Sequence, residues 1–363
     1  MVFVSGPRQC GKTTLAENIL NTKKNGIYLN WDSSKDKKII LNGGWDENAD
    51  LIVFDEIHKY SRWKNLIKGF YDTLKKKHQF LITGSALLNV YKKGQDSMLG
   101  RYHHWRLHPF CLAENPLKMD SAMTMNQLLE LGGFPEPLLS GSKIEALRWS
   151  KEHMNLIIKQ DLRDLTMVRD LDLLSLFYDQ LRSRVGSTVS LNNIAGDLGI
   201  PSKTLKQWLA ILESVYLVFS IKPYSGKLNR TLQKQPKIYV FNNPEVDGDV
   251  GAVFENLVAT HLIKRLHFYE DSMGEDYELR YIRDREHHEV DFVILKNKKP
   301  ICLIEVKWDD SNPSKNLNYF GEKLKIEKRI QLVGKLSKSK KINNIEIYPA
   351  AEWLSQSLFE EVF

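Results

Sequence analysis

Cysteine is scarce in this chain: Cys10, Cys111 and Cys302 are the three among 363 residues. An odd number at such wide spacing forms neither a disulfide framework nor a metal-ligand set, which fits a reducing compartment. Cys10 reads as a small filler of its loop. Long apolar runs are missing too. None approaches the roughly 20 residues that a membrane helix needs, and the opening Val2, Phe3 and Val4 read as a strand rather than a secretory signal. The expectations are a cytoplasmic location and no membrane contact. The last third lacks an excess of either charge, with 18 basic against 19 acidic side chains from residue 251 to the end. It therefore has no global cationic face.

What is present begins with length. A chain of 363 residues exceeds what one core usually organises, so two or three domains are expected. The net charge of +7 suggests a polyanionic partner, and the charge is unevenly spread. Residues 200–240 carry seven basic side chains (Lys203, Lys206, Lys222, Lys227, Arg230, Lys234, Lys237) against one acid, Glu213.

Gly6-Pro7-Arg8-Gln9-Cys10-Gly11-Lys12-Thr13 fits the phosphate-loop pattern GxxxxGKT. A short apolar strand enters it, and a helical run through Thr13, Thr14, Leu15, Ala16, Ile19 and Leu20 leaves it. Gly6 and Gly11 let the backbone wrap a β-phosphate with its N–H groups inward, and the new helix adds its positive N-terminal dipole. Lys12 would neutralise β- and γ-phosphate charge, and the Thr13 hydroxyl would ligate Mg²⁺. The whole stretch from Gly6 to Thr14 is the expected nucleotide-binding segment, with ATP or ADP and Mg²⁺ as its ligands.

Leu51-Ile52-Val53-Phe54 ends in Asp55-Glu56, a buried parallel strand with carboxylates at its tip. Asp55 would hold Mg²⁺ through water, and Glu56 would polarise the attacking water. A further strand, Gln79 to Ile82, ends in Thr83-Gly84-Ser85. These hydroxyls suit a γ-phosphate sensor and equally a capped turn. Arg101 is a candidate for stabilising the γ-phosphate, from its own chain or from a neighbouring subunit, and a solvated surface arginine fits as well. An oligomer is compatible with this.

Between Leu173 and Val218 the apolar spacing is helical. Leu191 to Ile200 leads through Pro201-Ser202 into Lys203 to Leu209, which reads as helix, tight turn, helix. Leu205, Trp208, Leu209 and Leu212 would face the core, and Lys203, Thr204, Lys206 and Gln207 would lie outside. Strands at Tyr216 to Ile221 and Lys237 to Phe241 complete a winged-helix outline. Such modules place the second helix in the major groove, with Lys and Arg on phosphates, or serve as protein-docking units. DNA through residues 200–240 is the expected partner.

Glu255 lies in an apolar helix from Val253 to Leu266. Glu289 to Leu295 and Ile301 to Lys307 read as a hairpin that carries Asp291, Glu305 and Lys307 in a D…ExK pattern. Alternation puts Glu305 and Lys307 on one face. Asp291, Glu305 and Glu255 are hard oxygen ligands for Mg²⁺, and Lys307 would orient water or stabilise charge on a scissile phosphate. His287-His288 read as a solvated pair.

Several motifs together resemble a known family. Asp55-Glu56-Ile57-His58-Lys59-Tyr60 with Trp63, Thr83-Gly84-Ser85, Leu99-Gly100-Arg101, Pro109-Phe110 with Glu114, and Gly132-Gly133-Phe134-Pro135-Glu136 are similar to bacterial and archaeal AAA-type ATPases with a C-terminal restriction-endonuclease-like domain. That family usually has a few tens of residues ahead of the phosphate-loop strand, whereas this sequence opens at the strand. Asn242-Asn243-Pro244 also departs from an Asp-containing turn common there. The expected fold is multidomain α/β: a P-loop NTPase parallel sheet over residues 1–115, a helical lid or linker over 116–170, a winged helix-turn-helix over 171–245 and an α/β restriction-endonuclease-like domain over 246–363. Two functions remain open, a DNA-associated ATPase with a metal-dependent nuclease domain and a nucleotide-dependent scaffold with a silent nuclease-like fold.

Overall fold

The computed structural model describes residues 1–84, 98, 100–162, 170–225 and 235–363, and its chain divides into two compact units. The first comprises Met1–His108 with Ser214–Tyr216, and the second Pro109–Glu213 with Leu217–Phe363. Among the described residues, no helix is long and apolar enough to cross a membrane.

The first unit is a parallel sheet with helices on both faces. Its strands are β1 (Val2–Ser5), β2 (Gly26–Asn30), β3 (Leu51–Asp55), β4 (Gln79–Gly84) and β5 (His103–Arg106), in the order β2-β3-β4-β1-β5. Their alternation builds two cores. Val4, Leu51, Val53 and Leu81 pack with Ala16 of α1 (Lys12–Leu20), while Phe3, Ile52, Phe54, Phe80 and Ile82 pack with Ile40 of α2 (Ser34–Asn42) and Ile67 of α3 (Trp63–Leu74). Apolar residues on both faces are what a buried parallel sheet requires. The strand order reverses around β1, which opens a crevice at the C-terminal strand edge, where α/β folds bind ligands.

In the second unit, α4 (Ser121–Leu131), α5 (Pro135–Ser140) and α6 (Lys143–Leu156) come first, followed by α7 (Leu171–Arg182). Next are α8 (Leu191–Leu198) and α9 (Ser202–Ser214), joined through Gly199 at φ +65°. Leu205, Trp208, Leu209 and Leu212 are buried, and Lys203 and Lys206 are exposed. Strands β6 (Val218–Pro223) and β7 (Lys237–Val240) pair antiparallel. The loop bearing Lys227, Arg230 and Lys234 lies outside the described residues.

An eight-stranded mixed sheet runs β12-β13-β11-β10-β9-β8-β6-β7. Its remaining strands are β8 (Tyr277–Arg283), β9 (Glu289–Lys296), β10 (Lys299–Lys307), β11 (Lys328–Val333), β12 (Lys340–Ile342) and β13 (Ile345–Pro349), with α10 (Val250–Met273), α11 (Lys315–Leu324) and α12 (Ala350–Leu354). The β6–β7 hairpin joins the C-terminal strands through Lys222 opposite Arg280 and Pro223 opposite Tyr281. Pairing there covers an edge of β8 that would otherwise stand open. Asn297 and Lys298, at φ +50° and +65°, close the β9–β10 hairpin with the two-residue turn that matches strand twist.

Candidate functional site

Two clusters of polar side chains stand out, one in each unit. In the first, β1 runs into residues 6–11 and α1 begins at Lys12. Both loop glycines are required by geometry. A Cβ on Gly6 would lie 2.1 Å from the Leu107 carbonyl oxygen, and Gly11 caps α1 in the left-handed region at φ +98°. Lys12 is 6% exposed and curls back over the loop, its Nζ donating to the carbonyls of Gly6 (3.1 Å) and Pro7 (2.5 Å). Cys10 is buried, with Sγ 3.5 Å from the Leu107 carbonyl oxygen, as expected of a filler.

Asp55, at the tip of β3, is the hub of this cluster. Its Oδ2 accepts from Thr13 Oγ1 (3.2 Å) and Tyr28 OH (2.5 Å), and its Oδ1 accepts from Thr83 Oγ1 (2.5 Å). Parallel pairing of β3 with β2 and β4 brings these tips into line. Burial, together with the Asp55 carboxylate, raises the Tyr28 phenol far above its usual value. Thr83 thus spends its hydroxyl on Asp55, and Ser85 lies outside the described residues. Tyr28 had no sequence signal, because an aromatic on a half-buried strand is ordinary.

Glu56 follows at φ +55°, its Oε2 3.5 Å from Lys59 Nζ and 3.6 Å from His58 Nε2. Lys59 is also held by Asp32 at 2.6 Å. Burial lowers the His58 pKa, and its Nδ1 is buried without a hydrogen-bond partner among the described residues. Arg101 is not brought to this cluster. It precedes β5, whose first residue His103 pairs with Val2, the first residue of β1, and so lies at the opposite edge of the sheet. There its guanidinium grips Asp72 through Nε (2.8 Å) and a second nitrogen (3.2 Å). Of the readings open for Arg101, this placement fits the surface arginine.

In the second unit, the D…ExK residues converge with Lys237, Tyr239 and Glu289, which the sequence did not assign to this site. Asp291 Oδ2 accepts from the Val306 N–H (2.9 Å), which ties β9 to β10 beside Glu305. Glu305 is 4% exposed; its Oε1 pairs with Lys307 Nζ at 2.9 Å, and its Oε2 is buried without a partner among the described residues. Glu255 arrives from α10. Its Oε1 accepts from Tyr239 OH (2.7 Å) and from Lys237 Nζ (3.2 Å).

Lys237 corrects its own reading. Counted among the seven basic side chains of residues 200–240 and so toward a DNA contact, it is 1% exposed and ion-paired with Glu289 (2.7 Å), Glu255 (3.2 Å) and Asp291 (3.5 Å). Buried carboxylates need a counter-charge, and β7 delivers one. Those three carboxylates outweigh its burial and raise its pKa. Burial, then the Asp291 charge, hold the Glu255 and Glu305 carboxyls well above the usual range. A buried carboxylate oxygen with no donor, beside a second carboxylate, fits a hard cation. His288 is half-buried, near the half-buried Asp284 (3.2 Å) and the exposed Glu286 (3.7 Å).

Comparison with known proteins agrees with the first cluster. Residues 1–115 match the family model described as AAA domain. Residues 123–243 and 250–353 match two models described as Domain of unknown function (DUF8612) and Domain of unknown function (DUF4143). An uncharacterized protein of Methanocaldococcus jannaschii, MJ1544, is 22% identical over 89% of this chain and 78% of its own length. One from Haemophilus influenzae is 21% identical over 97% and 94%. A structure titled as the Aeropyrum pernix ORC1 protein in complex with DNA covers 73% of this chain and 88% of its own, at 14% identity and a TM-score of 0.35. At that score the likeness carries no argument. In sequence, residues 1–115 are similar to the AAA domain family whose model they match.

Proposed function

We propose that this chain is a Mg²⁺-dependent ATP hydrolase that works in association with DNA. The observation that carries the reading is the 3.2 Å contact between Thr13 of the loop helix and Asp55 of the third strand. It sets the two groups that a phosphate-loop ATPase uses for its metal within one cation's reach. The loop N–H groups and the α1 dipole cradle the β-phosphate, and Lys12, braced on the Gly6 and Pro7 carbonyls, meets the γ-phosphate charge. Mg²⁺, when bound, would be held by Thr13 and Asp55 and would supply charge neutralisation on the phosphates. Glu56 orients the attacking water and takes its proton. Any contribution from Arg101 comes from a neighbouring subunit. Steady-state hydrolysis in the wild type, Lys12→Ala and Glu56→Gln is the test, and a pure protein that neither binds nor hydrolyses ATP sinks the reading.

In this reading the segments are an ATPase core over 1–115, a helical lid or linker over 116–170, a winged helix over 171–245 whose β6–β7 hairpin extends the sheet of the next segment, and a restriction-endonuclease-like domain over 246–363. Exposed Lys203 and Lys206 on the second helix support DNA contact. For the last segment, the partnerless Glu305 Oε2 beside Asp291 supports a metal site, with Lys307 at hand for the scissile phosphate. In this reading Mn²⁺ supports cleavage of plasmid or branched DNA, and Lys307→Ala abolishes it. The balance of 18 basic and 19 acidic residues after position 250 favours a second reading, a scaffold that docks a protein partner and does not cut. Absence of cleavage with every metal and DNA form, together with weak DNA affinity, would select it.

A further inference from the structure

The acidic cluster of the second unit already holds a cation. We infer that Lys237 is a resident counter-ion that restricts the cluster to one divalent ion, held on its Asp291–Glu305 side. The inference rests on the proposed metal site.

Lys237 Nζ touches oxygens of Glu289, Glu255 and Asp291 at 2.7, 3.2 and 3.5 Å, and the residue is 1% exposed. Every carboxylate on this side is already engaged. Glu255 Oε1 also accepts a hydrogen bond from the Tyr239 hydroxyl at 2.7 Å, and Glu289 Oε2 lies 3.4 Å from Arg283. The ammonium therefore does what a second metal ion would do there, fixing carboxylate positions and neutralising their charge. On the other side, Glu305 Oε2 has no donor among the described residues, and Asp291 lies between the two halves.

The charges lead to the same conclusion. With every carboxyl ionised, as a bound cation requires, the formal charges of Glu255, Glu289, Asp291 and Glu305 exceed those of Lys237, Lys307 and Arg283 by one. One divalent ion reverses that sign and gives the site a net attraction for a phosphodiester. A second would sit beside a buried ammonium, where low dielectric makes like-charge repulsion large. Lys237 comes from β7, beyond the hairpin that carries D…ExK, so the hairpin alone does not define the charge of its own site.

Mn²⁺ bound to nucleotide-free, full-length protein can be counted by the electron paramagnetic resonance of the free ion. The wild-type count minus that of the Asp291→Asn, Glu305→Gln double variant gives the ions held by the cluster. The expected difference is one. A difference of two overturns the inference and leaves the metal site standing, whereas zero overturns both. Lys237→Met should raise the difference to two, with spin-exchange broadening from paired Mn²⁺ and a larger Mn²⁺-induced rise in Tm than the wild type shows. A folded Lys237→Met that still holds one ion overturns the role given to Lys237. Should that variant not fold, the wild-type difference decides.

Discussion

Tyr28, midway along β2, donates its hydroxyl across 2.5 Å to Asp55 at the tip of β3, the carboxylate that Thr13 also contacts. The phenol shares Oδ2 with Thr13, so it fixes the direction in which that oxygen is presented. Tyr28→Phe should lower unfolding free energy by about 2 kcal/mol, the scale of a hydrogen bond to a charged group. It should also move the Mg²⁺ midpoint for nucleotide binding to higher metal concentration. Denaturant unfolding and nucleotide titrations over a metal series read the two effects. An unchanged midpoint would reduce Tyr28 to a structural part.

Lys12 and Glu56 should separate binding from chemistry. Lys12→Ala removes the charge that bridges the loop and the γ-phosphate and should weaken ATP binding itself. Glu56→Gln keeps shape and loses the acceptor, so hydrolysis should drop by about 10²–10⁴-fold, the range for a positioned base, with ATP affinity retained. Calorimetry beside single-turnover hydrolysis distinguishes them. Equal loss of binding in both variants would remove Glu56 from the chemistry.

Reversing Lys203 and Lys206 to Glu should weaken duplex binding and flatten its salt dependence. Each lost phosphate contact lowers the log–log slope by about one, so the double variant should lose about two. Fluorescence anisotropy from low to moderate salt measures this. A wild-type affinity insensitive to salt would assign the exposed helix to a protein partner.

His261 gives the second unit an acid-sensitive joint. Its Nε2 accepts the Leu112 N–H at 3.0 Å while its Nδ1 faces the Leu257 carbonyl at 2.7 Å, an arrangement that needs the neutral ring. Burial pushes its pKa down to about 3, from an ordinary 6.5. Because the folded value lies below the unfolded one, the stabilisation is complete above pH 6.5 and is lost as pH falls toward 3. The loss is on the order of a few kcal/mol at most. Heat-unfolding midpoints from pH 7 downward should fall less steeply in His261→Gln than in the wild type, and parallel slopes would contradict this.

Legibility in the sequence followed contiguity. The phosphate loop is a run of eight residues whose glycines answer local demands, the Leu107 carbonyl against Gly6 and the positive φ of Gly11. Strand alternation likewise announced both faces of β3 and the shared face of Glu305 and Lys307. The helix-turn-helix packing residues Leu205, Trp208, Leu209 and Leu212 were readable from helical spacing and are buried. Tyr28, Thr83 and Lys237 were not readable in their roles. Each sits on a strand where its residue type is unremarkable, and its partner is supplied by another element. Arg101 had three open readings in sequence, and its pairing with Asp72 of α3 is likewise supplied by another element.

By itself the sequence determined the elements and the chemical types they carry, because backbone conformation, glycine demand and apolar period act over a few residues at a time. Only the tertiary structure decided which charges meet. Strand order brings Thr13, Tyr28 and Thr83 to one carboxylate, and the edge pairing of the β6–β7 hairpin carries Lys237 away from solvent into an acidic cluster. The reason is physical: a buried charge is tolerated only beside its opposite, and which opposite lies within about 3 Å is a property of packing rather than of any segment alone.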